Sequence, residues 1–123
     1  MGMYTECMGI VKINKKYAEA FREVIINSVD WIEVDKHFDL KSFDNFKYLP
    51  RANLIPFCGS DYHLSPTITS DKDFDCNISF WFEIKSYHDE LDYFYAFLRD
   101  VCDEIHCFKT KYEEYDEWTN HLT

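Results

Sequence analysis

Thiols and imidazoles are the side chains of this 123-residue chain best suited to chemistry, and the chain carries five of each. A zinc site needs four converging ligands of these types. The nearest grouping is Cys102, His106 and Cys107, in which the first two stand four residues apart, as on one face of a helix. No Cys-x-x-Cys pair occurs. The spacing therefore favours reduced thiols that pack as small apolar residues over a metal site.

The cellular compartment follows from the same thiols and from the first residues. Five cysteines are an odd number, and Met1–Glu6 lacks the basic and apolar regions of a signal peptide. We therefore expect a cytoplasmic protein without disulfides. No apolar run approaches the ~18 residues of a membrane-spanning helix, so we expect no membrane segment.

A second reactive grouping lies in the middle of the chain, where Asp61-Tyr62-His63 precedes several hydroxyl side chains. His63 is suited to act as a general acid or base. Hydroxyl and carboxylate side chains also cap their own backbone in solvated turns. We favour this solvated-turn interpretation over a catalytic loop. Because the chain has no glycine-rich phosphate loop, no Gly-x-Ser-x-Gly and no His-Glu-x-x-His, we expect no cofactor and no enzymatic activity. A small enzyme or metal-binding domain using His63 or Cys102/His106/Cys107 stays as one alternative.

Hydrophobic periodicity predicts the elements that must position these residues. Apolar or alternating stretches predict strands, and a 3.6-residue period predicts helices over Lys15–Ser28 and from Ser86 to Ile105. The strands are predicted at Met3–Ile13, Trp31–Val34, Asn77–Lys85 and His106–Tyr115. Residues 35–77 hold all three prolines and are predicted to be a long irregular segment, and residues 116–123 a polar tail.

The order of these elements predicts the fold class. Each helix is bracketed by strands, which is typical of a single compact α+β domain of the split βαβ, ferredoxin-like type. The alternating strand and the last helix need each other's apolar faces, so we expect Phe80, Phe82 and Leu98 to be buried together.

The most distinctive feature is the uneven distribution of charge. The formal net charge is -10, yet residues 1–60 are neutral and residues 89–123 hold ten acidic and three basic residues. A carboxylate excess opposes direct binding to nucleic acid. Carboxylates on rigid elements can nevertheless imitate phosphates and occupy a basic groove, and interleaved Tyr and Trp are typical interface anchors.

Two interpretations of this acidic third stay open, a solvated surface and a partner-binding surface. The second predicts a protein partner with a basic surface, and no direct contact with nucleic acid or membrane. The predicted partner-binding residues are Asp100, Asp103, Glu104, Glu113, Glu114, Tyr115, Glu117 and Trp118.

The segment Ile78–Tyr87, followed by the acidic helix and by Tyr112-Glu113-Glu114, resembles patterns in small accessory proteins of phages and mobile elements. The resemblance implies a non-enzymatic inhibitor of a host defence nuclease, of the anti-CRISPR or anti-restriction type, acting in the host cytoplasm. An immunity protein that neutralises a cognate toxin nuclease would use the same acidic residues and is the alternative. The sequence leaves the oligomeric state and the identity of the partner open.

Overall fold

The computed structural model describes residues 4–26, 29–55, 77–86, 88–112 and 117–122 as three helices, one sheet and several 3-10 turns. The strands are β1 (Thr5–Ile13), β2 (Asn77–Ile84), β3 (Cys102–Tyr112) and β4 (Thr119–Asn120). The helices are α1 (Ala18–Ile26), α2 (Lys41–Lys47) and α3 (Glu90–Val101). The 3-10 turns are Lys15–Tyr17, Trp31–His37 and Ala52–Leu54. Helices together with a single antiparallel sheet confirm the predicted α+β class.

The sheet has the strand order β2-β1-β3-β4, and every neighbouring pair is antiparallel. Strands β2 and β3 therefore run in the same direction on either side of β1, and β2-α3-β3 is a split βαβ unit. A ferredoxin-like fold contains two such units. Here no strand of the described residues follows α1 and lies beside β2, so a second unit is not seen and the ferredoxin-like detail is not confirmed.

The core lies between one face of the sheet and the helices. Strand β2 alternates as predicted, with Ile78, Phe80, Phe82 and Ile84 all buried. Phe80, Phe82 and Leu98 belong to one buried cluster, as predicted. Phe97 of α3 is the centre of an aromatic group, with its ring centroid 5.1–5.7 Å from those of five other rings. These rings are Phe21, Trp31, Phe38, Phe43 and Phe46.

The predicted strand at Trp31–Val34 is wrong, because these residues begin the 3-10 turn Trp31–His37. Trp31 and Val34 are both buried, and their spacing of three residues suits a 3-10 turn in which such positions share a face. The Trp31 indole also donates a hydrogen bond to the Ile55 carbonyl, with an N···O distance of 2.8 Å. Only four residues carried the strand prediction, which is too few to separate a period of two from a period of three.

The prediction of an irregular segment over residues 35–77 is wrong for its first part. Helix α2 buries Phe43, Phe46 and Lys47 at helical spacing, and the turn at Ala52–Leu54 follows it. Residues 56–76 lie outside the described residues.

The boundary between α3 and β3 also differs from the prediction. The helix ends at Val101 rather than near Ile105, and β3 begins at Cys102. Two shifts in the β1–β3 register leave Asp103 and His106 as extra residues on β3. Such bulges break the strict alternation of a strand, so apolar residues at 101, 102 and 105 imitate a helical period.

The predicted polar tail is tied to the body of the protein. Thr119 and Asn120 pair with β3, and the backbone N–H of His121 donates to the Phe108 carbonyl at 3.0 Å. None of the helices in the described ranges is both long and apolar enough to cross a membrane.

Candidate partner-binding surfaces

One side of α3 forms an exposed acidic stripe, called here the α3 stripe. It consists of exposed residues three or four positions apart, beginning with Asp89 immediately before the helix: Asp89, Asp92, Tyr93, Ala96, Arg99 and Asp100. The opposite side of the helix is buried against the sheet and α2. The stripe is therefore the solvent face of an amphipathic helix, with three carboxylates and one guanidinium.

Neighbouring elements hold the end of this stripe in place. The Ser42 hydroxyl of α2 donates a 2.5 Å hydrogen bond to the Asp100 carboxylate. Ser42, Ala96, Arg99 and Asp100 line a surface groove of about 280 Å³. The Arg99 guanidinium lies 5.9 Å from the centroid of the Tyr95 ring, a cation–π arrangement. The Asp100 carboxylate is thus oriented before any partner arrives.

Asp103 and Glu104 lie on β3 rather than on the helix, which corrects the helix predicted from Ser86 to Ile105. The Asp103 carboxylate accepts a hydrogen bond from the Asn14 amide at 2.7 Å. Glu104 lies opposite Lys12 on β1 and 3.8 Å from the His106 ring. Of the predicted residues, the structure therefore brings Asp100 and Asp103 together where α3 turns into β3, whereas Glu104 lies on the other side of the sheet, opposite Lys12.

The remaining predicted residues do not join this group. Lys109 and Thr110 pair with Asn120 and Thr119, which places Glu117 and Trp118 near the far end of β3. The start of β3, which follows Asp100, and this far end are separated by seven residues of the neighbouring strand β1, or roughly 25 Å at about 3.3 Å per residue. Glu113, Glu114 and Tyr115 lie outside the described residues. The described members of the predicted set therefore do not form one contiguous acidic surface.

Glu90 belongs to the acidic third of the sequence, yet its side chain is fully buried. Asp89 adopts a left-handed backbone with φ of 60° and turns the chain into the helix. The Glu90 carboxylate accepts a hydrogen bond from the backbone N–H of His88 at 2.9 Å, and its other oxygen lies 3.9 Å from the Arg51 guanidinium. Glu90 thus fixes the turn before α3. The signal that could have found it is its position four and seven residues before Phe94 and Phe97, which places Glu90 on the buried side of the helix.

The grouping of Cys102, His106 and Cys107 does not converge. Cys102 lies opposite Ile13 on the helix side of the sheet, whereas Cys107 lies opposite Ile10 on the other side. Burial, with a smaller contribution from Asp103, raises the pKa of Cys102 to about 12, so its thiol stays protonated at neutral pH. Among the described residues no three His, Cys, Asp or Glu side chains are placed to hold a metal ion. His63 lies outside the described residues.

The sheet face turned away from the helices is a second candidate surface, called here the outer sheet face. Ile10 is 45% exposed and Trp81 is 40% exposed, and Met8 lies directly between Trp81 and Lys109. The Trp81 indole donates to the Glu6 carboxylate at 2.9 Å, and its ring meets the Trp118 ring edge to face at 6.3 Å. Trp118 therefore belongs to this face rather than to the α3 stripe.

The two surfaces differ in charge. Beyond Glu6 and Lys109, the outer sheet face includes Glu83, Glu104, Lys12 and Lys111, so its three carboxylates and three ammonium groups cancel. Residues 89–103 carry five carboxylates and a single arginine. The negative charge of the described residues is therefore concentrated along α3, and the outer sheet face is neutral.

Comparison with known proteins identifies no relative: no family model, no curated protein and no solved structure matches the chain. Any functional proposal therefore depends on the surfaces of this chain alone.

Proposed function

We propose that the protein is a non-enzymatic inhibitor that binds a basic surface on a nucleic-acid-handling enzyme through the α3 stripe and the adjoining Asp103. The observation that carries this proposal is the set of exposed carboxylates Asp92 and Asp100 beside the exposed Tyr93 on α3, with Asp103 at the start of β3 directly after the helix. Carboxylates spaced along a helix offer a basic groove the charge that it normally meets on phosphates.

The rigidity of α3 supports this proposal. Leu91, Phe94, Leu98 and Val101 anchor the helix in the core, so its outer side is presented without rearrangement. Hydrogen bonds from Ser42 and Asn14 orient the carboxylates of Asp100 and Asp103 in advance. Preorganisation of this kind lowers the entropic cost of association.

The distribution of side-chain types also supports a binding role. Tyrosine is one of the residue types that contribute most at interfaces, and Tyr93 stands 40% exposed between Asp92 and Ala96. Surrounding carboxylates would steer a basic partner towards it and raise the association rate. In the biological setting that we propose, an anti-defence protein of the phage type, the target is a host nuclease.

The test is capture of a bacterial nuclease on the immobilised protein, followed by an activity assay of the purified nuclease. We expect complete inhibition at one-to-one stoichiometry, with added DNA competing against the inhibitor. The variant with Asp92→Lys, Asp100→Lys and Asp103→Lys should bind at least tenfold more weakly. The matched control reverses Glu19 and Asp39, two exposed carboxylates outside the stripe, and should inhibit like the wild type.

Two results would count against the proposal. Inhibition that survives the triple reversal would remove the α3 stripe from the interface. Turnover of a substrate by the protein itself would exclude a purely stoichiometric inhibitor. If the captured nuclease is a toxin encoded beside this protein, the same surface serves an immunity function instead.

A further inference from the structure

We propose that the outer sheet face is the interface of a symmetric homodimer, so that a second copy of this chain covers it. This inference goes beyond the proposed inhibitor function, because the helix that carries the α3 stripe lies on the opposite side of the sheet. A dimer built in this way would keep both α3 stripes exposed and turned away from each other.

The centre of the outer sheet face is apolar except for Lys109, which lies opposite Met8. Met8, Ile10, Trp81 and Trp118 lie there, with Ile10 and Trp81 among the most exposed large hydrophobic side chains described. Cys107 adds a further apolar side chain opposite Ile10. Exposed apolar patches surrounded by charged residues typically mark protein interfaces.

Charged residues lie in rows at both ends of this apolar centre. At one end Glu6 on β1 lies opposite Lys111 on β3, and at the other end Lys12 on β1 lies opposite Glu104 on β3. In each row the charge on β1 is therefore opposite to the charge on β3. In the first row β1 is negative and β3 positive, and in the second row β1 is positive and β3 negative.

This pattern is complementary to itself. Consider a two-fold axis that runs along the strands, in the plane of the interface, between β1 and β3. This rotation places β1 of one copy over β3 of the other. Each row of charged residues then lies over the corresponding row of the second copy. Glu6 then faces Lys111 of the second copy, and Lys12 faces Glu104 of the second copy. The two Trp81–Trp118 pairs meet near the axis, as an isologous interface requires.

A second copy fits this face better than the basic enzyme surface proposed above. The three carboxylates and three ammonium groups of the face cancel, so a strongly basic surface would gain no net attraction from it. Three strands about 4.8 Å apart and seven residues long give this face roughly 330 Å² in projection, because β4 has only two residues. The self-complementary charges, rather than the area, are therefore the argument for a second copy.

The experiment compares the solution mass of charge-swapped variants that all retain the net charge of the wild type. By sedimentation equilibrium at micromolar concentrations, we expect the wild type at twice the 14.9 kDa chain mass. The β1 swap (Glu6→Lys with Lys12→Glu) and the β3 swap (Glu104→Lys with Lys111→Glu) should each be monomeric, because like charges then meet across the axis. An equimolar mixture of the two swaps should form a heterodimer, since every pair is again opposite.

The mixture also separates interface effects from folding effects, because a variant that fails to fold cannot form the heterodimer. The fourfold variant that combines both swaps should recover the homodimer. The inference is overturned if the wild type is monomeric at all concentrations tested. It is equally overturned if both swaps dimerise as the wild type does, or if the two folded swaps do not associate when mixed.

Discussion

The ring of Phe80 occupies the space above Gly9, and its Cζ atom lies 2.3 Å from the position that a Cβ on Gly9 would take. The two residues are direct neighbours across the β1–β2 pair. Glycine usually weakens a strand interior, but here its missing side chain admits an aromatic ring into the core. The position of Phe80 in the core therefore depends on the absence of a side chain on the neighbouring strand.

Gly9→Ala is expected to destabilise the fold by about 1–3 kcal/mol, because the added methyl group overlaps a ring that is itself buried. Urea unfolding followed by tryptophan fluorescence measures the change. In a chain that already carries Phe80→Leu, and so has a smaller side chain above Gly9, Gly9→Ala should cost less unfolding free energy than it does in the wild type. Additive effects of the two substitutions would contradict the contact.

Leu98→Ala is expected to cost ~2–5 kcal/mol of unfolding free energy, because the side chain is 1% exposed and its removal leaves a cavity. Asp92→Ala on the solvent side of the same helix is the control and should change stability by less than ~0.5 kcal/mol. Equal effects of the two substitutions would mean that the buried side of α3 is assigned incorrectly.

Lys47 gives a prediction at alkaline pH. Its ammonium group is 6% exposed and pairs with the carboxylates of Asp35 and Asp44. The hydrogen bond to Asp35 is the largest cause that raises the pKa of Lys47 above its ordinary value of 10.5, although burial opposes it. A raised pKa stabilises the folded state fully at pH values below the unfolded pKa, and this contribution is lost as pH rises towards the folded pKa.

The stability difference between the wild type and Lys47→Met should therefore be constant from neutral pH to about pH 10 and then shrink. Urea unfolding at a series of pH values measures it. Exposed Lys36 provides the control, since Lys36→Met should show no such loss. A difference that disappears below pH 9 would be inconsistent with a raised pKa.

Cys102 is expected to resist alkylation in the folded protein. Its pKa of about 12 leaves almost no thiolate at pH 8, and the thiolate is the reactive form. Iodoacetamide labelling with peptide mass spectrometry should modify Cys102 at least tenfold more slowly in the native protein than in urea. Equal native and denatured rates at this cysteine would contradict its half-buried position opposite Ile13.

Association with the captured nuclease is expected to depend on salt. Exposed charges are screened over ~8 Å at physiological ionic strength, so raising the salt should slow association more than it accelerates dissociation. Stopped-flow measurements at two ionic strengths test this, with the Asp92, Asp100 and Asp103 reversal as the comparison. If the association rate changed neither with ionic strength nor with the triple charge reversal, the α3 stripe would be only a solubilising surface.

Local patterns in the sequence determined the elements whose residues follow one period without interruption. The strict alternation of Ile78, Phe80, Phe82 and Ile84 identifies β2 and its buried face, and the amphipathic spacing from Leu91 to Val101 identifies α3. These patterns also sufficed for the α+β class. A single period assigns each residue to one side of its element, so burial can be read without knowledge of the partner element.

Tertiary structure decided the features that depend on residues distant in the chain. The bulges at Asp103 and His106 arise from pairing with β1 and hide the true start of β3 behind an apparent helical period. The Glu90 carboxylate is buried because the Arg51 guanidinium and the His88 backbone meet it, whereas the carboxylates of Asp89 and Asp92 remain exposed. Strand pairing likewise moved Trp118 and Glu117 away from Asp100. The acidic third of the chain was therefore visible in the sequence, but its division between two ends of the sheet was not, because charge position along a chain carries no information about strand order.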